Sequence, residues 1–376
     1  MNMSNNENEK YLTNQIITYL GNKRTLLSFI GEVINYVRKE LSKDKLDIFD
    51  VFSGSGIVSR YFKKFSNHLY VNDLEDYAKT INLCYLTNST EINLNDLDYW
   101  YNFLTSNLID EKLIDNGFIR RLYSPYDDQH IQKGERVFYT VRNAKYIDTA
   151  RQLLFILPEK YKNLFLGSLL YEASTKNNTG GVFKGFYKNS LTDIGQFGGN
   201  GKNALHRILA DIKIEKPVLS NFDCDVNILQ GDSNEVCKYL PFVDIAYIDP
   251  PYNQHPYGSN YFMLNLINNY HEPNKISQVS GIPEIWNKSN YNKKSLALPT
   301  LENLCSEIKA RFVLVSFNSE GFISYESMIQ MLKQFGSVKT YDRNYNVFRA
   351  CRNLNERDIH VTEYLFLLDK MGKCEC

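Results

Sequence analysis

Val243-Asp244-Ile245-Ala246-Tyr247-Ile248-Asp249-Pro250-Pro251-Tyr252 is the stretch on which the reading of the 376-residue chain turns. Its first six residues are mostly apolar and β-prone, and Pro241 and Pro250 bound them. Such a run predicts a strand buried on both faces, as in a parallel sheet covered by helices. In open α/β sheets, ligands bind outside the carboxyl ends of the strands, so Asp249 is expected at the mouth of a site. Two successive prolines fix φ twice and remove two donors, and the first biases Asp249 toward an extended backbone. The product is a stiff turn that offers a carboxylate, a free carbonyl and an aromatic ring. An exocyclic amino group on a base carries two N–H donors. The Asp249 carboxylate and the Pro250 carbonyl can accept both, while the Tyr252 ring stacks on the base. A competing reading is a Pro-Pro turn that ends a strand, with Asp249 as a helix N-cap and Tyr252 in the core.

Upstream, Leu46 to Phe52 reads as a second strand that runs into Ser53-Gly54-Ser55-Gly56 and an apolar helix from Ile57 to about Phe65. Strand, glycine turn and helix form a mononucleotide-binding layout: the glycines admit a ligand close to the backbone, and the helix N-terminus adds polarity. The third glycine of the dinucleotide fingerprint is absent. Ser59 stands there, which argues against a nicotinamide or flavin enzyme. His68 to Asp73 is a third strand with an acid at its end, the position that bonds ribose hydroxyls in such layouts. Asp76 to Tyr85 follows as a helix. Before all of these, Leu26, Leu27, Ile30, Val33, Ile34 and Val37 recur with helical period. Gly21 and Asn22 make a turn just ahead, so Lys23 sits near a helix start. A cation there opposes the helix dipole; Lys23 has an anionic partner or is exposed.

From about residue 88 to 226 the βα rhythm stops. Helical runs cover Ile147 to Leu157 and Tyr161 to Ala173. Asn178 to Lys188 interleaves glycines, aromatics and lysines, a composition that suits a surface stacking bases and tracking a phosphate backbone or, equally, a loop over a buried aromatic cluster. Phe118 to Lys216 holds 16 Lys and Arg against 9 Asp and Glu, so a basic middle segment sits in a chain of zero net charge. Lys184, Lys188, Arg136 and Arg142 are its candidate DNA contacts. The sheet resumes with Asn227 to Gln230, ending in Gly231-Asp232-Ser233. A polar span over about 253–295 reads as a functional loop region. Later strands are Arg311 to Phe317, Val338 to Tyr341, a short one over 346–349, and Thr362 to Leu368, with a helix from Ile323 to Gln334.

Composition bounds the class. Hydrophobic residues make up 43% and charged ones 23%, which fits a soluble globular chain with an ample core. No apolar run approaches a membrane span. Met1 to Lys10 is polar, lacks the apolar region of a signal peptide, and is expected to be a disordered tail. The seven cysteines are scattered and none pairs at zinc-finger spacing, so reduced thiols in a cytoplasm are expected and no metal site; fraying is expected for the terminal Cys374 and Cys376.

Taken together, these pieces resemble adenine-specific DNA methyltransferases, the class that includes the DNA adenine methylases and many type II modification enzymes. Tyr19-Leu20-Gly21-Asn22-Lys23 is similar to that family's N-terminal cofactor motif, and Asp50-Val51-Phe52-Ser53-Gly54-Ser55-Gly56 to its D-x-F-x-G-x-G loop. Asp249 to Tyr252 is its D-P-P-Y motif unaltered. Asn253 through Tyr261 resembles the continuation into N-Y. Ser316 to Gly321 resembles S-Y-N-x-E-G, with Phe317 where Tyr is usual. The resemblance covers nearly the whole chain. It implies a Rossmann-like α/β sheet with helices on both faces, built from residues 1–87 and 227–376, and a largely helical target-recognition insert over 88–226. It implies S-adenosyl-L-methionine as cofactor. The backbone around Phe52, Gly54 and Gly56 would hold the methionine moiety, with Asp50, Lys23 and Tyr19 near it. Asp73 would bond the ribose and Asp232 the cofactor's adenine amino group. Asp249, Pro250 and Tyr252 would act on a flipped adenine. Double-stranded DNA is the implied partner, a cognate restriction endonuclease a further one, and the chain is expected to be a monomer. Two alternatives stand beside this: the same geometry acting on cytosine N4 or on a base in RNA, and a DNA-binding protein that has lost catalysis.

Overall fold

The computed structural model of the protein describes residues 6–346 and 360–372. Within them the strands are β1 (Leu46–Asp50), β2 (Ser66–Asp73), β3 (Asp225–Gln230), β4 (Val243–Ile248), β5 (Ala310–Asn318), β6 (Ser337–Asn346) and β7 (His360–Asp369). The helices are α1 (Leu27–Glu40), α2 (Ile57–Phe62), α3 (Asp76–Tyr85), α4 (Leu94–Asn107), α5 (Phe118–Tyr123), α6 (Val141–Leu154), α7 (Glu159–Thr175), α8 (Leu205–Leu209), α9 (Ser233–Val236), α10 (Tyr257–Asn260), α11 (Phe262–Asn269), α12 (Lys294–Glu307) and α13 (Tyr325–Leu332).

The strands form one sheet in the order β3-β2-β1-β4-β5-β7-β6. The first five run parallel; β7 lies antiparallel between β5 and β6. The chain builds outward from β1 through β2 to β3, then returns to place β4 on the other side of β1. That reversal opens a crevice at the carboxyl ends of β1 and β4, where such sheets bind ligands. Every residue of β4 is buried, and from Ile245 onward alternate side chains enter different cores. Ile245 and Tyr247 pack with α1 and α2 through Val33, Ile34 and Phe62. Val243, Ala246 and Ile248 pack with α12 and α13 through Leu301, Leu304 and Met328. Helices therefore cover both faces of the sheet. Fully burying an aliphatic side chain contributes about 1.5–3 kcal/mol, so Ile30, Val33, Ile34 and Val37, each 1% exposed or less, hold α1 firmly against the sheet.

A third core joins α4 to α7 with α3 and α11: Tyr77, Ile81 and Cys84 meet Leu164, Phe165 and Leu169, and Phe262, Met263 and Ile267 complete it. The apolar packing of residues 88–226 is thus continuous with two helices outside them.

Several expectations change. The N-terminal tail is docked from residue 6 onward. Glu7 accepts from Ser220 Oγ at 2.7 Å and Asn221 N at 2.9 Å, and Asn8 Nδ2 donates to the Leu219 carbonyl at 3.1 Å. The buried Arg60 guanidinium then donates to the carbonyls of Tyr11, Asn14 and Gln15 at 3.2, 3.2 and 2.7 Å, which fixes the approach to Tyr19 and Lys23. The 253–295 span is not all loop: α11 buries Phe262, Met263, Leu264, Leu266 and Ile267, an apolar cluster that the surrounding Tyr and Asn residues obscure. Helix α12 carries Pro299 inside it, which hides it from a periodicity reading. Asn346 ends β6; the rest of the strand expected over 346–349, with Cys351, Cys374 and Cys376, lies outside the described residues. Cys84, Cys224, Cys237 and Cys305 are free thiols. No helix of the described residues is long and apolar enough to cross a membrane.

Candidate active site

The crevice between β1 and β4 spans about 910 Å³ when the solvent at its open mouth is counted. Tyr19, Lys23, Phe52, Gly54, Asp73, Asp232, Asp249 and Tyr252 all line it. The other candidates, Asp50, Gly56 and Pro250, are buried and are not among the lining residues.

The glycine loop forms the floor. Gly54 has φ +51°, and a Cβ there would stand 2.9 Å from the Tyr19 ring, so both backbone strain and the ring exclude a side chain. Ser59, in the place of the absent third glycine, donates its hydroxyl to Asp50 Oδ2. The serine is needed because Asp50 is wholly buried at the end of β1. Burial pushes its pKa up to about 7 against the pull of that hydrogen bond. Asp50 Oδ1 is buried without a hydrogen-bond partner.

Asp73, at the end of β2, spends its carboxylate on the loop itself: Oδ2 accepts from Gly54 N at 2.8 Å and Oδ1 from Glu75 N at 2.9 Å. Glu75 is a lining residue that sequence reasoning missed. Asn265 and Asn287 donate to its Oε2 at 2.6 and 3.2 Å, and burial raises it to about 7. Asp232 caps α9, accepting from Asn234 N at 2.9 Å. Opposite, Tyr19 packs face-on against Tyr257 and Tyr261 at centroid distances of 4.9 and 4.8 Å, and Phe52 stands edge-on to Tyr291 at 5.1 Å. Tyr257, Tyr261 and Tyr291 come from the span read as loop, where tyrosines and asparagines dominate.

At the far end, Asp249 follows β4 with its side chain 16% exposed. Lys23 is only 2% exposed and pairs with Asp249 Oδ1 at 3.1 Å and with Glu363 Oε1 at 2.9 Å. The anionic partner expected for Lys23 is therefore a pair of carboxylates. Burial opposes the ammonium charge, but Asp249 and Glu363 outweigh it and hold Lys23 well above its ordinary pKa. Burial likewise raises Asp249 to about 7; Lys23 pulls the other way and Glu363 adds to the rise. Tyr252 meets Phe317 edge-on at 5.6 Å. Its hydroxyl lies where Gly21, at φ +73°, would carry a Cβ, 2.9 Å away.

The four candidate DNA contacts separate. Arg142 pairs with Asp110 and Asp211 at 3.1 and 3.3 Å. Arg136 donates to the carbonyls of Leu122, Ser277 and Gln278, and Lys188 pairs with Asp193 at 2.9 Å. Lys184 is exposed. Burial and the Lys184 charge together hold the His255 imidazole below its ordinary value, so Lys184 stands beside the segment that follows Tyr252.

A strand-end acid beside a Pro-Pro turn, above a glycine-floored cavity at the reversal of a parallel sheet, suits transfer of a group from a bound donor to an amino group. The comparison with known families makes the assignment specific. Residues 19–331 match the D12 class N6 adenine-specific DNA methyltransferases, and the chain belongs to that family. It is 27% identical over 365 residues to the type II methyltransferase M.CviAII of Paramecium bursaria Chlorella virus 1, covering 94% of this chain and 98% of that protein. It is 28% identical over 371 residues to the type II methyltransferase M.NlaIII of Neisseria lactamica, covering 94% and 99%. The type II methyltransferase M.FokI of Planomicrobium okeanokoites is 28% identical over 370 residues, 94% of this chain but 52% of that longer protein. The protein is an adenine-specific DNA methyltransferase.

Proposed function

We propose that the enzyme methylates adenine N6 at specific sites in double-stranded DNA, after flipping the base out of the stack, with S-adenosyl-L-methionine as donor. It would be the modification partner of a cognate restriction endonuclease and work as a cytoplasmic monomer. The observation that carries the reading is the position of Asp249: at the end of β4, lining the cavity that the glycine loop floors. The cavity suits the cofactor. A Cβ at Gly54 would meet the Tyr19 ring, so the loop backbone stays bare toward the cavity, and acids line the stretch from Asp73 and Glu75 to Asp232. Ser53 to Gly56 would hold the methionine end, Asp73 and Glu75 the ribose side, and Asp232 with Phe52 the adenine end. When bound, the cofactor supplies a methyl group on a sulfonium.

The chain's own residues then have three tasks. Asp249 and the Pro250 carbonyl accept the two hydrogens of the target amino group. This withdraws the nitrogen lone pair from conjugation and aims it into the cavity. Tyr252 stacks on the flipped base; its edge-on contact with Phe317 and its hydroxyl against Gly21 keep the ring upright. The cavity walls Tyr19, Tyr257 and Tyr291 exclude water. We assign residues 1–87 and 227–376 to a Rossmann-like catalytic domain and 88–226 to target recognition. The excess of seven basic charges over 118–216 supports this, and the exposed Lys184, whose charge reaches His255, is its leading contact.

The test is transfer of labelled methyl from S-adenosyl-L-methionine to unmethylated plasmid DNA, followed by base analysis. N6-methyladenine is expected. Label in cytosine or in RNA alone would overturn the substrate; no cofactor binding by calorimetry would indicate a DNA-binding remnant.

A further inference from the structure

The cluster Asp249, Lys23 and Glu363 is not explained by cofactor binding. Three ionisable side chains meet in a buried place, two acids to one base. Removing ions from water costs several kcal/mol each, and apolar residues of similar volume commonly stabilise a fold better than a buried ion pair. A cluster with an excess buried acid is thus a poor structural device and marks a functional one. Glu363 lies beyond residues 19–331 that match the family, and no motif announces it.

Its position follows from topology. β7 is antiparallel to β5, so its first residues lie level with the last of β5, at the rim that holds Asp249. In the register, Glu363 faces Asn318. Ser316, two residues earlier on β5, donates its hydroxyl to Glu363 Oε1; across the ladder Arg343 of β6 is level with Glu363, but its guanidinium pairs with Glu32. Glu363 is 0% exposed and therefore cannot swing away. Lys23 is fixed from its own side by the Leu26 N–H, which donates to its carbonyl at 2.8 Å.

We propose that Lys23 and Glu363 are a positioning pair for Asp249: the Lys23 ammonium occupies Oδ1 and leaves Oδ2 for the target amino group, while Glu363 holds the ammonium in place. Lys23 thereby keeps the acceptor charged and turned into the cavity; Glu363 limits how strongly it does so. The inference rests on the reading of Asp249 as the amino-group acceptor. The other ionisable groups around Asp249 are Asp50 from the end of β1, Tyr247 on β4, and Tyr252 and Tyr257 after it. Burial holds Tyr247 and Tyr257 well above their ordinary values, so they stay neutral, and the balance at Asp249 is set by carboxylates and Lys23.

The experiment is kcat against pH for the wild type, E363Q, K23M and the double variant, with cofactor Kd by calorimetry and thermal midpoints alongside. Removing Glu363's charge should move the acid limb of the profile down by about half to one pH unit. Removing Lys23 should move it up by about one to three pH units and lower turnover near neutrality more than about tenfold. The double variant should fall between. Cofactor Kd should stay within about threefold throughout. The near-isosteric E363Q keeps the test readable if K23M does not fold. A limb that stays in place in E363Q, or a Lys23 effect that appears in Kd rather than in the profile, overturns the pair. Asp249→Asn separates the two levels: a limb that survives in it removes Asp249 from the acceptor role, whereas a limb that vanishes there but ignores E363Q removes only the pair.

Discussion

At the sheet rim, Lys23, Asp50 and Glu363 are buried and Asp249 nearly so, and each meets another of the four or a buried hydroxyl. In residues 88–226 Asp148, Arg151 and Glu172 are buried as well, but the basic side chains nearer the surface behave differently: Arg142, Lys188 and Lys216 pair with acids that are themselves largely exposed. Exposed pairs of that kind contribute about 0–1 kcal/mol and are screened by salt, whereas a buried charge that loses its partner costs about 3–5 kcal/mol. The difference teaches where each region stores its specificity. The rim holds a few groups in one ionisation state and one geometry. The helical segment holds its shape with apolar contacts and a few buried polar ones, such as Asp148 with the Ile119 and Arg120 N–H groups, and carries its other charges at the surface.

The comparison can be broken most sharply at Asp249. Asp249→Ala should lower turnover by about 10²–10³-fold while cofactor affinity, read by calorimetry, changes by less than about fivefold; near-normal turnover would remove the rim from catalysis. Next is the floor. Gly54→Ala places a Cβ at φ +51°, 2.9 Å from the Tyr19 ring, and a strained residue of this kind costs about 1–3 kcal/mol. Cofactor affinity should fall about tenfold or more, with DNA affinity in the absence of cofactor little changed.

A smaller effect should appear in stability against pH. Asp50 has a folded pKa of about 7 against 3.8 for the ordinary group. The folded state therefore binds the extra proton between these values, and the stability present below about pH 4 is lost as pH rises through about 7. Asp50→Asn has no such loss. Its stability relative to wild type should grow between about pH 5 and pH 8. The expected gain is about 1–2 kcal/mol, because a pKa displaced by one pH unit corresponds to about 1.4 kcal/mol and the site relaxes in part. Urea midpoints at both pH values decide it; a pH-independent difference would contradict the burial argument. The smallest effects lie in the helical segment. Lys184→Ala should reduce the salt slope of DNA binding by about one and weaken binding uniformly across sequences. Arg142→Ala should leave the slope alone and lower stability by about 1 kcal/mol, since its guanidinium serves Asp110 and Asp211. Equal slopes in the two variants would erase the distinction between them.

The elements that local pattern specifies were legible. β4 spans the expected six residues, α3 runs from Asp76 to Tyr85 as read, and α1 and β1 differ from expectation only at their ends. Apolar periodicity and turn residues act over a few positions, and these elements depend on little else. Helices α11 and α12 were not legible: one hides its apolar cluster among tyrosines and asparagines, the other contains a proline. Both form because the cores they cover reward burial more than propensity opposes it. The docked N-terminus was missed for a related reason: Glu7 and Arg60 anchor it through backbone groups, which no side-chain pattern announces.

By itself the sequence determined the chemistry of the site: a carboxylate and a carbonyl on a stiff turn after a buried strand, a glycine loop after another, and an acid closing a third. These are short-range properties of consecutive residues, set by proline and glycine backbone limits and by hydrophobic alternation. Tertiary structure alone decided which groups face one another. Asp73 turns to the glycine loop, Glu75 enters the cavity, Ser59 meets Asp50, and Lys23 lies between Asp249 and Glu363. The last arrangement exists because β7 enters the sheet antiparallel beside β5 and so begins at the rim where β4 ends. Strand order and direction are settled by the packing of the whole sheet, and no local pattern around residue 363 carries that information.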